Sequence, residues 1–450
     1  MEQRSLHLQT RITTARVFAI AGPAMVANLT TPLIGVVSTT AIGRLGDPAL
    51  LGGVAMASVI FDCLFWLFAF LRMGTLAFTA QSLGAGEADK LRLHLMRALA
   101  LAGVIGTALI VLKVPLATIL LGAMGGSEAV TRAAKTYFTI RIWAAPLALG
   151  NCVILGWLIG LAHARLALAV QIVINIVGMA ATMLLVLVLH TAIAGAAIAA
   201  LLAEAAGLGL GLVIARHLAG GTLAVTRNAL IDRTALTRMF HVNRDIMIRT
   251  AALIAAFLFF TAQGARAGDI TLAANAILNN FLLVSAFVLD GLANAAEQLC
   301  GQAVGARDRR AFSAATRLVV AWGCAFALVV AASFALAGST LVDAMTSSEQ
   351  VRTAARSYLP FVALSPLLSV FAFTLDGVYI GATWARDMRN LMLASLAIFV
   401  GAWLALRAFG NDGLWAAQLA LYAARGCLQA LRYPGLLKAT FGQSLPRQIP

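Results

Sequence analysis

Asp290, Asn294 and Glu297 stand at i, i+4 and i+7 inside a long apolar run. In a helix all three share one face. Asn279 and Asn280 lie about three turns earlier on the same helix. Two carboxylates close together in low dielectric do not both ionise easily, so one takes up a proton near neutral pH or shares a cation. That is what a proton-coupled carrier or a cation site requires. The plainer alternative is a pair neutralised by arginines such as Arg72 or Arg249, with a structural role only. Asp376 lies deep in another apolar run, just before Gly377 and Gly381, with no acidic neighbour in sequence. It needs a partner from another helix, a bound cation or a proton. Glu204 sits in AALLAEAAGLGLG. Small residues there let helices approach closely, so a structural hydrogen bond and a role in transport are both open. Asp62, Arg72 and Arg141 complete the ionisable groups at depth, with Arg244 and Asp245 near the start of the seventh run. The histidines fall mostly in loops or at run ends and are assigned no role.

These groups need elements to hold them, and the composition says which. Of 450 residues 61% are hydrophobic and 11% charged, against roughly 25% charged in soluble domains. There is too little polar material to cover a soluble core, so lipid is part of the solvent. Apolar stretches near the ~20 residues that cross a bilayer recur throughout, for example 18–37, 98–121, 172–189, 318–336 and 391–406. They are continuous rather than alternating, which selects helices over a barrel. The expected spans are 13–38, 48–80, 93–121, 130–155, 166–189, 193–217, 240–262, 270–301, 312–337, 352–380, 388–408 and 413–437. Pro23, Pro32, Pro146 and Pro366 fall inside them, as bends opening a cavity or as ordinary membrane packing.

The net charge of +15 sits in short loops. Arg4, Arg11 and Arg16 precede the first run. Lys90, Arg92 and Arg97 follow the second, and Arg227, Arg233, Arg238 and Arg244 fill the middle connector. Arg307, Arg309, Arg310, Arg386, Arg389, Arg432, Lys438 and Arg447 come later. Alternate loops are poorer, carrying Arg44 or Arg266 alone or nothing near His190. This is a positive-inside pattern rather than a nucleic-acid surface. It puts both termini in the cytoplasm and requires an even number of spans. The opening MEQRSLHLQTR is basic without a small-residue cleavage site, so the first run reads as a retained span. Cys63, Cys152, Cys300, Cys324 and Cys427 lie inside apolar runs at no metal-like spacing and read as small core residues.

An internal repeat organises the chain. VTRAAKTYFTI from Val130 matches VRTAARSYLPF from Val351, an offset of 351 − 130 = 221. At the same offset Gly156 pairs with Gly377, Gly160 with Gly381, Arg165 with Arg386, Gln81 with Gln302 and Gly84 with Gly305. Near the ends the register slips, with Gly195 matching Gly413. The expected fold is an all-α membrane protein of about twelve transmembrane helices, in two six-helix bundles related by a pseudo-two-fold along the membrane normal. The expected division is 1–218, a cytoplasmic connector 219–237, and 238–450. Parallel repeats of this kind are a transporter plan with the substrate site between the halves. No phosphate loop, GxSxG, HExxH or ligand-spaced His/Cys cluster is present, so nothing supports an enzyme, a metal centre or a cofactor.

The stretches FLRMGTLAFTAQSLGAGEADK (70–90), AFVLDGLANAAEQLCGQAVGARD (286–308) and TLDGVYIGATWARDMRN (374–390) closely resemble the multidrug and toxin extrusion (MATE) family, in its DinF-like branch. The resemblance covers nearly the whole chain. It implies two six-helix bundles forming a V around a central cavity. It also implies antiport of small, often cationic or lipophilic compounds against H⁺ or Na⁺. The chain departs from the branch at two points. Where the first span usually carries the aspartate of a VDTA motif, this chain has Val37, Ser38, Thr39, Thr40 and Ala41. Where the fifth usually carries one after an NI pair, it has Asn175, Ile176, Val177, Gly178 and Met179. The resemblance puts the cation site of the other branches at Asp290, Glu297 and Asp376, so coupling is expected in the C-terminal half, with Na⁺ near Asp376 and Glu297 if sodium is the ion. Asn175, Met179, Asn279, Asn294 and Ser38 are expected to line the cavity, with Asp62, Glu204 and Arg72 as accessories. The expected protein is a monomeric efflux carrier of the bacterial inner membrane that binds small molecules and no nucleic acid. Two other readings stay open. A lipid-linked-precursor flippase would want a more cationic cavity than Arg72 and Arg141 supply. An uncoupled transporter-like receptor or scaffold would fit the missing first-span aspartate.

Overall fold

In lipid a backbone amide has no water to bond, so an apolar stretch long enough to span must satisfy its own donors as a helix. The computed structural model describes residues 12–442, and every regular element among them is helical. Arg4, Arg11 and Arg447 of the charge pattern, and the whole opening segment MEQRSLHLQTR, lie outside the described residues.

The first half runs through α1 (Thr14–Gly43), α2 (Pro48–Leu67), α3 (Phe70–Gly84), α4 (Ala88–Val111), α5 (Lys113–Met124), α6 (Glu128–Arg141), α7 (Ala145–Gly160), α8 (Ala164–Thr182) and α9 (Ala192–Leu218). A single turn in the connector, α10 (Arg227–Leu230), leads into α11 (Arg233–Arg266), α12 (Asp269–Gly305), α13 (Arg309–Met345), α14 (Glu349–Gly381), α15 (Ala385–Leu406) and α16 (Gly410–Phe441). By length and hydropathy 11 segments among the described residues can cross a membrane, and the last, Ala385–Phe441, holds both α15 and α16. Taking that segment as two recovers the expected number of spans.

Among the first four expected spans three are interrupted. The second span breaks at Phe68 and Ala69, between α2 and α3. The third breaks at Leu112, between α4 and α5. Pro115 explains that break, because its ring collides with the carbonyl four residues earlier, at Val111. The fourth passes through a 3₁₀ turn, Ile142–Ala144, ahead of Pro146, whose ring meets the carbonyl of Ile142 in the same way. Pro23, Pro32 and Pro366 interrupt nothing, since α1 and α14 run through them. The cysteines do not all sit in the core: Cys300 is buried and Cys427 is exposed.

The repeat is visible in the helix starts and crossings. Ser127 caps α6 by accepting from Val130 N at 3.4 Å, and Ser348 caps α14 by accepting from Val351 N at 3.5 Å. These caps satisfy amides that have no partner within the helix. A methyl group added at Gly156 would strike the Arg72 carbonyl, and one at Gly160 would strike Leu76 and Thr79, so α7 lies directly on the backbone of α3. Gly377 and Gly381 do the same on Ala293 and Glu297, so α14 lies on the backbone of α12. All four positions obey the same offset, since 377 − 156 and 381 − 160 both equal 221.

The chain divides into two compact units. One holds Val26–Leu83 and Glu87–Phe240. The other holds His241 onward, Gly84–Gly86 and the start of α1 up to Met25. That start is bound within the second unit by Arg16 Nη2, which donates to Gln302 Oε1 at 2.5 Å, and by Phe18, edge-on to Trp322 at 4.9 Å. The core of the second unit gathers around buried Trp415, Phe260, Phe281, Phe334 and Phe399.

Candidate functional site

The glycine crossing decides where Asp376 goes. With α14 seated on the backbone of α12, the residue before Gly377 turns toward α11 and α16. Asp376 is 5% exposed. Arg249 of α11 donates to Oδ2 as an ion pair. Arg425 of α16 donates to the same oxygen at 2.7 Å. Gln429, one turn further along α16, donates from Nε2 to Oδ1 at 2.5 Å. Asp376 therefore has the partners from other helices that its position demanded. Two of the three are guanidiniums, 6% and 2% exposed.

Asp290, Asn294 and Glu297 line α12 on the near side. Asn294 and Glu297 are buried at 6% and 2%, and Asp290 is half-buried. Arg249 lies within electrostatic reach of Asp290, Glu297 and Arg425, and Arg425 within reach of Asp290. The cluster thus sets three carboxylates against two guanidiniums. One turn from Arg249, buried Asp245 has its own partners, accepting from Arg389 at 2.7 Å and from Arg244 at 3.0 Å.

The other expected site residues fall elsewhere. Asn279 is half-buried, and Asn280 is exposed, its amide donating to the Ala276 carbonyl of its own helix at 3.0 Å. Asn175 is buried in the N-terminal unit, donating to Thr30 Oγ1 at 2.9 Å and accepting from Gln171 Nε2 at 3.0 Å. Met179 and Ser38 are half-buried in the same unit. Glu204 accepts from Asn151 Nδ2 at 2.8 Å, and the same amide reaches its backbone carbonyl at 2.8 Å. Asp62 is exposed and within electrostatic reach of Arg141, whose guanidinium lies 5.5 Å from the Phe61 ring centre. Arg72 is half-buried.

Sequence reading passed over Arg425, Gln429, Asn275 and Asn411. Asn275 and Asn411 bond each other reciprocally at 2.9 and 3.0 Å, and Trp415 Nε1 donates to Asn275 Oδ1 at 2.9 Å. The signal was present: Asn411, Gln418, Tyr422, Arg425 and Gln429 recur at helical spacing in the last apolar run. Among the described residues no three His, Cys, Asp or Glu gather in a metal-holding group.

Against known proteins, the MatE family model matches residues 23–184 and 246–404. The chain is 38% identical over 410 residues to DNA damage-inducible protein F of Escherichia coli (strain K12), over 90% of this chain and 89% of that one. Its fold matches a crystal structure of MATE in the bent conformation with a TM-score of 0.86 at 17% identity, over 94% and 95% of the two chains. It matches a MOP superfamily transporter from Pyrococcus furiosus at 0.83 and 19% identity, over 94% and 96%. The family match falls in both halves and the relative is similar along nearly the whole length, so this chain belongs to the MatE family of multi-pass membrane transporters and is a carrier of small molecules, not an enzyme.

Proposed function

We propose that the protein is a secondary active efflux antiporter, exporting small cationic or lipophilic compounds in exchange for H⁺ or Na⁺, with coupling in the C-terminal unit. One observation carries this reading: buried Glu297 and Asp376 and half-buried Asp290 share one cluster with two buried guanidiniums. A net charge taken out of water is expensive unless something neutralises it. A proton on one carboxylate, or a sodium ion near Asp376 and Glu297, balances the cluster. Charge balance then biases the carrier between two states, and an ion shifts that bias only through its different affinity for the two. The N-terminal unit reads differently. There Asp62 and Glu204 both lie within electrostatic reach of Arg141, Glu204 also accepts from Asn151, and Ser38 does not titrate near neutral pH.

The reading includes rocker-switch alternating access, a monomer in the bacterial inner membrane and both termini in the cytoplasm. Asn294 and Asn279 in the C-terminal unit would meet substrate, as would Asn175, Met179 and Ser38 in the N-terminal unit. The flippase reading gains nothing from Arg249 and Arg425, since both are committed to Asp376. Ethidium efflux from energised vesicles tests the proposal, with the proton and sodium gradients collapsed separately. Wild type should extrude dye, and Asp376→Asn and Glu297→Gln should not. Variants that extrude as well as wild type would make these carboxylates structural. A wild type that binds ethidium yet never extrudes it would favour the uncoupled receptor.

A further inference from the structure

The polar residues of α16 form a continuous stripe. Asn411, Trp415, Gln418, Tyr422, Arg425 and Gln429 are spaced 4, 3, 4, 3 and 4 apart, which keeps them on one face of a helix. All six are buried. At 1.5 Å per residue the stripe is about 27 Å long, close to the ~30 Å thickness of the hydrocarbon core. Burying so much polarity is unfavourable unless it is used or satisfied.

The fold does not require it. At the end-of-repeat offset, 413 − 195 = 218, the equivalent positions on α9 are Ile193, Ala197, Ala200, Glu204, Gly207 and Gly211. Only Glu204 is polar. Gly207 and Gly211 pack on Ile174 and Ile154. One half of the repeat therefore builds this helix from small apolar residues and the other from amides, a phenol and a guanidinium.

The stripe also holds polar atoms that the protein does not satisfy. Gln418 Nε2 donates to Tyr422 Oη at 3.1 Å, but Gln418 Oε1 has no partner. Gln429 Nε2 donates to Asp376, but Gln429 Oε1 has none, and neither has Arg249 Nε. Buried polar atoms of this kind are ordinarily satisfied by internal water.

We propose that the stripe is a hydrated proton path leading along α16 from the Asn411 end to Asp376. This rests on the reading that the C-terminal unit couples transport to an ion, and it specifies that ion as H⁺. Waters and the Tyr422 hydroxyl carry the proton, and Gln418 and Gln429 position the waters. At each step an O–H bond breaks on the donor side and one forms on the acceptor side. The last forms on the Asp376 carboxylate. The balance is one proton moved and one carboxylate neutralised, and Arg249 and Arg425 are released from it. Arg249 from α11 and Arg425 from α16 pair with Asp376, and the titratable groups within electrostatic reach of those two are Asp290 and Glu297 from α12 and Tyr422 from α16. The Asn275–Asn411–Trp415 knot marks the end at which the proton enters.

The test follows proton arrival directly. The full chain in lipid vesicles is given a pH jump, and time-resolved infrared absorption follows the carboxylic-acid band that Asp376→Asn removes. Gln418→Leu and Tyr422→Phe should each slow its appearance on the order of tenfold, the rate equivalent of one lost hydrogen bond. Gln418→Ser should recover part of the rate. Thermal midpoints are measured alongside, and if Gln418→Leu lowers its midpoint, Tyr422→Phe decides. If the band rises at the wild-type rate in Tyr422→Phe and in a well-folded Gln418→Leu, the path is overturned while coupling at Asp376 stands. If wild type has no band that Asp376→Asn removes, proton coupling at Asp376 and the path fall together.

Discussion

Arg425 and Asp376 are 49 residues apart in sequence and meet at 2.7 Å, guanidinium to carboxylate. Neither is accessible: their side chains are 2% and 7% exposed. Removing Arg425 leaves Asp376 with Arg249 and Gln429 as partners, so one charge-assisted contact of three is lost. Arg425→Met is expected to destabilise the protein by about 1.5–3 kcal/mol. The double variant Arg425→Met with Asp376→Leu should fall further, because it strands buried Arg249, and should not couple. Thermal unfolding in detergent reads the first effect and ethidium efflux the second. Equal stability of Arg425→Met and wild type would mean that the pair does not form.

The glycine crossings predict a sharp positional contrast. Gly377→Leu drives a side chain into the Ala293 backbone, which has no room to yield, whereas Gly401 has nothing within 4 Å of its missing Cβ. The first change should cost about 1–3 kcal/mol or more, as overpacking does, and the second should be near neutral. Yield of folded protein and melting temperature separate them. Equal tolerance would refute the close backbone contact.

Asn275 serves Asn411 and Trp415 at once. Asn275→Leu leaves three buried polar atoms unmet, Asn411 Oδ1, Asn411 Nδ2 and Trp415 Nε1, at about 1–3 kcal/mol each. Asn275→Asp should be milder at acid pH, where its neutral carboxyl accepts from both and donates back to Asn411 Oδ1. If Asn275→Leu melts like wild type, the knot contributes nothing.

In the N-terminal unit Glu204 is tied to Asn151 rather than to a path. Glu204→Gln keeps that hydrogen bond and is expected to leave ethidium efflux within about twofold of wild type, a loss well below one hydrogen bond. Asn151→Leu should lower thermal stability instead. Loss of efflux in Glu204→Gln with normal folding would move coupling into this unit.

How much of this could be read from the chain varies with the kind of interaction. The spans were legible because lipid forces helices on any long apolar run, and the repeat because glycine crossings tolerate no substitution and so keep their register. The breaks at Leu112 and Ile142 could have been foreseen from Pro115 and Pro146, four residues downstream of the carbonyls they displace. The break at Phe68 has no such marker. In the site, the acids stood out as charges among apolar residues. Their pairing did not, because Arg249, Asp376 and Arg425 lie on three helices far apart in sequence, and nothing local says which faces which. The Asn411–Gln429 stripe was legible in principle, through its spacing, but amides draw less notice than charges.

The glycines at 156, 160, 377 and 381 carry a further meaning when set beside that stripe. A feature found at one register in both halves was already present in the shorter ancestor whose gene doubled. The crossing of α7 on α3, and of α14 on α12, is such an inheritance. Apart from Glu204, the polar face of α16 has no counterpart on α9, so most of it was gained by one copy or lost by the other after the doubling. The skeleton of this carrier is older than its division of labour, and once the copies were joined in one chain, each was free to specialise.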